Sequence, residues 1–242
     1  MDDNRARYPF LAQWWRIGGV GGVLWVVLFF VSSIAIQGEG VYRSDSVAEI
    51  RDYFSDDGDA YLLGDYLIGL GFILGFLPFL AALTTLIGRT DGTSAMLGRL
   101  VTIAGVLTVA GGLAAAIPTG ALAVGAAENP EVDDSSIRTL MELDAYGFAS
   151  LSLAVGAFAL SAGVAIWWSR ALTWWWVSIL AIIGGILAVI SGAWPIDGDE
   201  EGFIGSLGFI GLPVIALFIL LASINMIMGG GRADEVVVDK TA

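Results

Sequence analysis

The chain of 242 residues contains no cysteine and no histidine. Without cysteine it can form no disulfide, thiolate metal site or thiol nucleophile. Without histidine it lacks the commonest general base and the commonest ligand of transition metals and haem. It has a single lysine, Lys240, so a buried Schiff-base lysine is excluded as well. We therefore expect no cofactor, no metal site and no catalytic residue.

Charge is also scarce and of one sign. Only 14% of the residues are charged, where a soluble domain carries about 25%. The 11 basic and 24 acidic residues give a net charge of −13, which argues against nucleic acid as a partner, because phosphates require a basic surface. Hydrophobic residues make up 57% of the chain and the mean hydropathy is +0.80, which indicates an integral membrane protein.

Six stretches contain no Asp, Glu, Lys or Arg, and each is long enough for a helix to cross the roughly 30 Å hydrocarbon core. The alternation typical of membrane β-strands is missing. The sequence therefore predicts an all-α, polytopic membrane protein whose single domain, 1–228, is a bundle of six transmembrane helices. The expected spans are about 17–38, 62–88, 100–127, 145–168, 174–195 and 203–228. The remaining residues, 229–242, are expected to form a disordered cytoplasmic tail.

The distribution of basic residues predicts the orientation. Eight of the eleven fall on the side that holds both termini, and three (Arg43, Arg51 and Arg138) fall on the other side. The positive-inside rule then places both termini in the cytoplasm. Ten arginines against one lysine suggest a GC-rich bacterial or archaeal genome, so we expect the cell membrane of a prokaryote.

The two long outer loops carry helix signals of their own. Ser46-Val47-Ala48-Glu49 has the pattern of a capping box, and apolar residues follow it at helical spacing. Asp133 to Ser135 can cap a second helix. We expect short interfacial helices near 46–54 and 134–143 that lie on the outer membrane surface. The first is expected to end at Asp56-Asp57-Gly58-Asp59.

No ionisable residue is expected deep in any span. Asp65 and Asp144 open the second and fourth spans, where a carboxylate in a first helical turn is stabilised by the helix dipole. The alternative is a ligand-binding site that opens to the outer leaflet between spans two, four and six. Its polar members would be Asp65, Tyr66, Asp144 and Tyr146.

Small residues and prolines are frequent inside the spans. Gly18-x-x-x-Gly22 and Gly71-x-x-x-Gly75 have the spacing that lets helices approach closely, and packing within the bundle is their expected use. Each of three prolines within spans can kink its helix: Pro78, Pro118 and Pro213.

Five tryptophans flank Arg170 at positions 167, 168 and 174–176. Tryptophan at the end of a span is typical of the interfacial belt, where the indole ring is apolar on one side and wet on the other. A box that stacks a cofactor is the alternative interpretation.

The chain resembles an uncharacterised family of bacterial six-helix integral membrane proteins, a domain of unknown function. The similar pieces are Gly64-Asp65-Tyr66, Asp144-Ala145-Tyr146-Gly147-Phe148 and Ser169-Arg170-Ala171-Leu172-Thr173-Trp174. The resemblance implies a six-helix topology with a helix in the first outer loop, and it implies no activity. The chain departs from the family pattern in lacking a proline in the short inner loop and a histidine near span four.

Three function classes remain open. The first is a non-enzymatic bundle that binds membrane lipids, another membrane protein or a second copy of itself, or that serves as an accessory subunit. The second is a small-molecule transporter or channel without a buried titratable relay. The third is a membrane enzyme that uses carboxylates and a metal at its outer face.

Overall fold

The structure is a computed structural model that describes residues 14–36, 45–89, 92–197 and 202–229. The predicted tail from residue 230 onwards lies outside the described residues. Six long helices make up almost all of the described chain, and each is long and apolar enough to cross a membrane. The predicted all-α, six-helix fold is confirmed, and the chain is a multi-pass membrane protein.

The helices follow one another with short connections. α1 is α-helical over Trp14–Phe30 and π-helical over Val31–Ile36. α2 comprises Val47–Leu70, a π-helical segment Gly71–Phe76 and Leu77–Gly88. α3 comprises Gly92–Gly111, a π-helical segment Gly112–Ala116 and Ile117–Glu128. α4 is Asp134–Ser169, α5 is Val177–Ser191 and α6 is Phe203–Ile227, with a one-turn helix at Trp194–Asp197 before α6.

Each helix packs against its neighbours in the sequence, and α6 returns to pack against α1, so the six helices close into a ring. Aromatic side chains fill the interior of the ring. Phe76 of α2 meets Phe158 of α4 edge-to-face at 4.9 Å between ring centroids, and Trp25 of α1 lies 5.7 Å from Phe76. All three residues are buried, so this cluster ties α1, α2 and α4 together across the centre.

The helix α1 packs through glycines on two faces. Towards α2, a Cβ atom on Gly21 would lie 2.7 Å from the backbone oxygen of Gly75, and one on Gly75 would lie 2.8 Å from that of Gly21. Towards α6, Gly22 lies against the side chain of Ser223, and a Cβ on Gly19 would lie 2.7 Å from the backbone oxygen of Ser223. Since real Cβ atoms do not approach this closely, both contacts require glycine.

The helices α4 and α5 use the same device. A Cβ on Gly156 would lie 2.9 Å from the backbone oxygen of Gly185, and the reverse distance is also 2.9 Å. The predicted use of Gly18-x-x-x-Gly22 and Gly71-x-x-x-Gly75 in intramolecular packing is confirmed, because the first motif faces α2 and α6 and the second faces α1. In a lipid bilayer, helices associate largely where small residues let their backbones approach closely.

Two prolines are preceded by π-helical turns. The residue before Pro78, Leu77, donates its N–H to Phe72 five residues earlier, and the residue before Pro118, Ile117, donates to Gly112. A proline ring clashes with the carbonyl four residues earlier and offers no N–H. In a π-helical turn the N–H bonds the carbonyl five residues earlier instead of four. The backbone therefore stays paired and the helix does not break. Pro213 lies inside α6, which is α-helical throughout.

The helices α2, α3 and α4 extend beyond the others at one end of the bundle. We call this extension the head and define it as residues 47–61 and 120–143. Its own apolar cluster, separate from that of the bundle, comprises Ile50, Phe54, Ala123, Val124, Ala127, Ile137 and Met141. We call the opposite end, where α4 ends and α5 begins, the tryptophan end.

The expectation of short, separate interfacial helices is wrong in one respect. The segments 46–54 and 134–143 are helical, and both predicted starts are confirmed: Ser46 forms a full capping box with Glu49, and Asp133 caps α4. However, neither segment is a separate helix, because each continues without a break towards its span. α2 runs through Asp56-Asp57-Gly58-Asp59 without a break, because Gly58 packs against Val124 and Glu128 of α3 instead of ending the helix.

We predict that Gly21→Ala lowers the free energy of unfolding by about 1–3 kcal/mol, because the new methyl group would overlap the backbone oxygen of Gly75. The matched control is Gly125→Ala, since a Cβ there meets nothing within 4 Å. Thermal unfolding in detergent micelles measures both. Equal midpoints for the two variants would contradict the close approach of α1 and α2.

Candidate functional site at the junction of head and bundle

Three helices bring polar side chains together where the head joins the bundle. α2 contributes Tyr61 and Asp65, which are one helical turn apart and therefore share a face. α3 contributes Thr119 and α4 contributes Asp144. Asp65 is 4% exposed and Asp144 is 8% exposed. We call these four residues the polar layer.

Hydrogen bonds within the polar layer converge on Asp144. The Thr119 hydroxyl donates to its Oδ1 at 2.9 Å, and the Tyr61 hydroxyl is hydrogen-bonded to the same carboxylate. Gly120 makes room for this arrangement. A Cβ at that position would lie 2.9 Å from Oδ2 of Asp65 and 3.0 Å from the Tyr61 hydroxyl oxygen. Asp65 and Tyr61 therefore both lie directly against the backbone of α3.

The polar layer separates two apolar cores. Along α2 the buried residues run from Ile50 and Phe54 in the head, through Asp65, to Phe72 and Phe76 in the bundle. α4 follows the same order, from Met141 through Asp144 to Val155. A buried carboxylate is costly unless it is hydrogen-bonded, and Asp144 has two hydroxyl donors. These contacts fix the positions of α2, α3 and α4 along their axes relative to one another.

The exposed side chains show where the membrane boundary lies. On α2 they are polar through the head and apolar afterwards: first Asp52, Ser55, Asp56, Asp57 and Asp59, then Leu62, Leu63, Tyr66, Ile73 and Leu74. On α4 the change falls between Glu142 and Leu143. Since exposed apolar side chains mark the surface that faces lipid, Asp65 and Asp144 lie just inside the apolar zone.

The dipole explanation for the two aspartates is therefore wrong. α2 begins at Val47 and α4 begins at Asp134, so Asp65 and Asp144 lie 18 and 10 residues into their helices. The dipole acts only within the first turn. Both carboxylates are buried between helices, at the edge of the apolar zone and not deep within a span.

The structure brings together two of the four predicted site residues. Asp65 and Asp144 both lie in the polar layer, and Tyr61 interacts with both. Tyr66 is 61% exposed and points away from it. Tyr146 stacks on Trp194 with a centroid distance of 5.6 Å and an interplanar angle of 4°, outside the polar layer.

Sequence reasoning missed Tyr61 and Thr119. Tyr61 carries a usable signal, because it precedes Asp65 by four residues and therefore occupies the same helix face. Thr119 carries none, since a threonine in an apolar helix more often bonds its own backbone. Thr102 of the same helix does so, donating to the Gly98 carbonyl at 2.9 Å.

A cavity among the described residues lies away from the predicted site. It is a crevice of about 60 Å³ inside the ring, lined almost entirely by apolar side chains. Four helices line it, with Trp25, Phe72, Phe148 and Leu212 among the lining residues. None of the four predicted site residues reaches it. Among the described residues, no three His, Cys, Asp or Glu side chains lie close enough together to hold a metal ion.

Arg51 holds the α3–α4 turn, at the end of the head away from the bundle. Its guanidinium donates to the backbone oxygens of Ala127 at 2.9 Å, Asn129 at 3.2 Å and Val132 at 2.6 Å, and it pairs with Asp134 at 3.3 Å. The last carbonyls of α3 lack partners within their own helix, so a cation placed there both bonds them and complements the helix dipole. Arg51 thus joins the start of α2 to the α3–α4 turn.

The α3–α4 turn is held at its other side by Asp133. Hydrogen bonds from Ser135 and from the side chain and backbone of Ser136 lower the pKa of Asp133 to about 2. Because the folded pKa lies below the ordinary value of 3.8, the stabilisation by this cap is present above pH 3.8 and is lost as the pH falls towards about 2. The head therefore keeps this cap at any pH near neutrality.

No protein-family model, curated protein or solved structure matches the chain. The resemblance to the uncharacterised bacterial family therefore stays a prediction.

We predict that Thr119→Val lowers the free energy of unfolding by about 0.5–1.5 kcal/mol, because it removes a hydroxyl donor to a buried carboxylate. The loss should shrink when Asp144 is already Asn, whose neutral oxygen is a weaker acceptor. Thr102→Val is the matched control, since its hydroxyl bonds only its own helix. Equal losses at positions 102 and 119, or additive effects with Asp144→Asn, would contradict the network.

We also predict that Arg51→Met loosens the α3–α4 turn. Four acceptors lose a charged donor, so hydrogen–deuterium exchange of residues 127–134 should rise by about tenfold or more. Exchange near the tryptophan end should stay unchanged. Arg89→Met serves as the control, because Arg89 is exposed and lies at that opposite end. Unchanged exchange at 127–134 would show that Arg51 does not hold the turn.

Proposed function

We propose that this is a non-enzymatic protein of a prokaryotic cell membrane that binds a partner protein through its head, as an accessory subunit or receptor-like platform. Bilayer lipids surround the bundle, the head lies outside the cell, and both termini are cytoplasmic. The observation that carries the proposal is the head itself: a packed three-helix extension with its own core, fixed by Arg51 and joined rigidly to the bundle through the polar layer.

The length of the head supports this function. From Val47 to Tyr61, α2 rises about 21 Å at roughly 1.5 Å per residue. The rest of α2, up to Gly88, is long enough by itself to cross the membrane. Such an extension costs ordering entropy and is not required to connect two spans, which a short loop would do. A rigid projection of this kind presents a fixed surface to the solution.

The charge of the head indicates the kind of partner. It carries two arginines and ten carboxylates: Glu49, Asp52, Asp56, Asp57, Asp59, Glu128, Glu131, Asp133, Asp134 and Glu142. Asp52, Asp56, Asp57 and Asp59 are exposed on one helix. Oppositely charged surfaces attract over a distance and reject partners of like charge. The head therefore fits a protein with a basic surface.

We predict that a photo-reactive amino acid in place of Asp56 or Asp59 cross-links to one and the same basic protein in native membranes. Yield should fall as salt rises from about 0.05 M to about 0.5 M, since screening shortens the reach of the charges. The control positions are Leu74 and Leu153, which are exposed on the apolar zone and should react with lipid. Protein cross-links from the control positions alone would place the partner in the membrane and contradict a function of the head.

The buried carboxylates favour a second candidate, a transporter of a small molecule or ion. Asp65 and Asp144 lie between helices at the edge of the apolar zone, where transporters place titratable groups. This candidate is tested by applying a pH jump to dye-loaded proteoliposomes that contain the protein. Transport that is lost in the double variant Asp65→Asn, Asp144→Asn would favour this candidate over the platform.

A further inference from the structure

The turn between α4 and α5 holds an arginine against indole rings. The guanidinium carbon of Arg170 lies 3.7 Å from the ring centroid of Trp175 and 5.2 Å from that of Trp167. The two rings meet each other edge-to-face at 4.9 Å. The predicted grouping of tryptophans around Arg170 is therefore present, and the arginine is stacked on two of them.

Stacking on the indole rings engages only the flat face of the Arg170 guanidinium. The attraction to an indole ring acts on the flat face of the guanidinium, whereas its five N–H donors point outward in the plane. Within the described part of the chain, the guanidinium donates to no acceptor and forms no ion pair. From Ala145 to Ile196 the sequence contains no acidic residue, so α4, the turn and α5 offer it no carboxylate up to that point.

The backbone of Arg170 is strained. Its φ of 52° is left-handed, which is uncommon for a residue with a Cβ and costs on the order of 1 kcal/mol or more. Ala171 and Leu172, which follow, are buried at 3% and 0% exposure and anchor the turn in the bundle. Glycine would adopt this φ without cost, so an arginine here points to a role for its side chain.

The position of Arg170 matches the headgroup level of the membrane. Trp168 is 62% exposed and Trp176 is 46% exposed, and both flank the turn at the end of the apolar zone. Indole rings gather at the boundary between hydrocarbon and water. An arginine in this place lies beside the phosphates of the lipid headgroups.

We propose that Arg170, held by Trp167 and Trp175, binds the phosphate of one membrane phospholipid. The planar fork of donors matches two phosphate oxygens, a geometry that the ammonium group of lysine lacks. The exposed faces of Trp168 and Trp176 pack beside the glycerol and the upper acyl chains. This site is at the opposite end of the molecule from the head and does not depend on the function proposed for it.

The test is native mass spectrometry of the purified protein, released from detergent micelles that contain phosphatidylglycerol or, in parallel, diacylglycerol with the same acyl chains. The wild-type protein should retain one phosphatidylglycerol and no diacylglycerol. Arg170→Gly, which suits the left-handed backbone, should weaken retention about tenfold or more. Arg170→Lys keeps the charge and the backbone preference but loses the fork, and should weaken retention as well. Arg89→Gln should retain the lipid as the wild type does.

Three outcomes would overturn the proposal. The first is equal retention by the wild type and by Arg170→Gly. The second is retention of diacylglycerol as strong as that of phosphatidylglycerol, which would make the site one for acyl chains. The third is complete displacement of the lipid by inorganic phosphate at equal concentration, which would make the ligand free phosphate. If Arg170→Gly does not fold, Arg170→Lys decides: wild-type retention by that variant overturns the proposal, and weaker retention supports it.

Discussion

A helix that crosses a membrane must keep every backbone hydrogen bond within itself, and the architecture of this protein depends on that constraint. α2, α3 and α4 stay helical through the whole apolar zone and for several turns beyond it. Even Pro78 of α2 and Pro118 of α3 are accommodated by π-helical turns that re-pair the backbone. The head is thus a continuation of α2, α3 and α4, which keep the same spacing and direction as in the bundle. Its carbonyls become unpaired only at the end of α3, where Arg51 takes them up.

Close packing makes the continuation rigid. Helices in lipid gain little from burying apolar side chains, so they associate where small residues let backbones touch. Glycines on two faces of α1 bring α2 and α6 to it, and reciprocal glycines join α4 to α5. The ring is therefore closed by backbone contacts, with the aromatic cluster of Trp25, Phe76 and Phe158 at its centre. Gly58 and Gly120 instead make room for side chains of the neighbouring helix, in the head and in the polar layer.

Composition and charge were enough to predict the six helices, because stretches of more than twenty uncharged residues have few other folds available. Local capping signals were also read correctly at Ser46 and Asp133, since both depend only on neighbouring residues. The prediction that the helix ends at Asp56-Asp57-Gly58-Asp59 fails for a different reason. A glycine among aspartates is typical of a helix end, but the contact of Gly58 with α3 is tertiary and leaves no local trace.

The polar layer shows the same limit. Asp65 and Asp144 stood out as the acids nearest to the membrane, whereas their burial depends on how far the helices extend beyond them. Tyr66 and Tyr146 adjoin the aspartates in sequence, but adjacent residues on a helix point in different directions. Tyr61, one turn before Asp65, is the residue that helical geometry places on the correct face.

We expect α2 to leave the membrane as one continuous helix that carries the head into solution. Spin labels on single cysteines at positions 52, 56, 59, 63, 66 and 74 of α2 test it directly, since the native chain has no cysteine. In lipid bilayers, positions 52, 56 and 59 should collide with a water-soluble relaxation agent, and positions 63, 66 and 74 with oxygen dissolved in the lipid. Oxygen collisions at positions 52 to 59 equal to those at position 74 would mean that this segment lies on the membrane surface, and the account of a projecting head would be wrong.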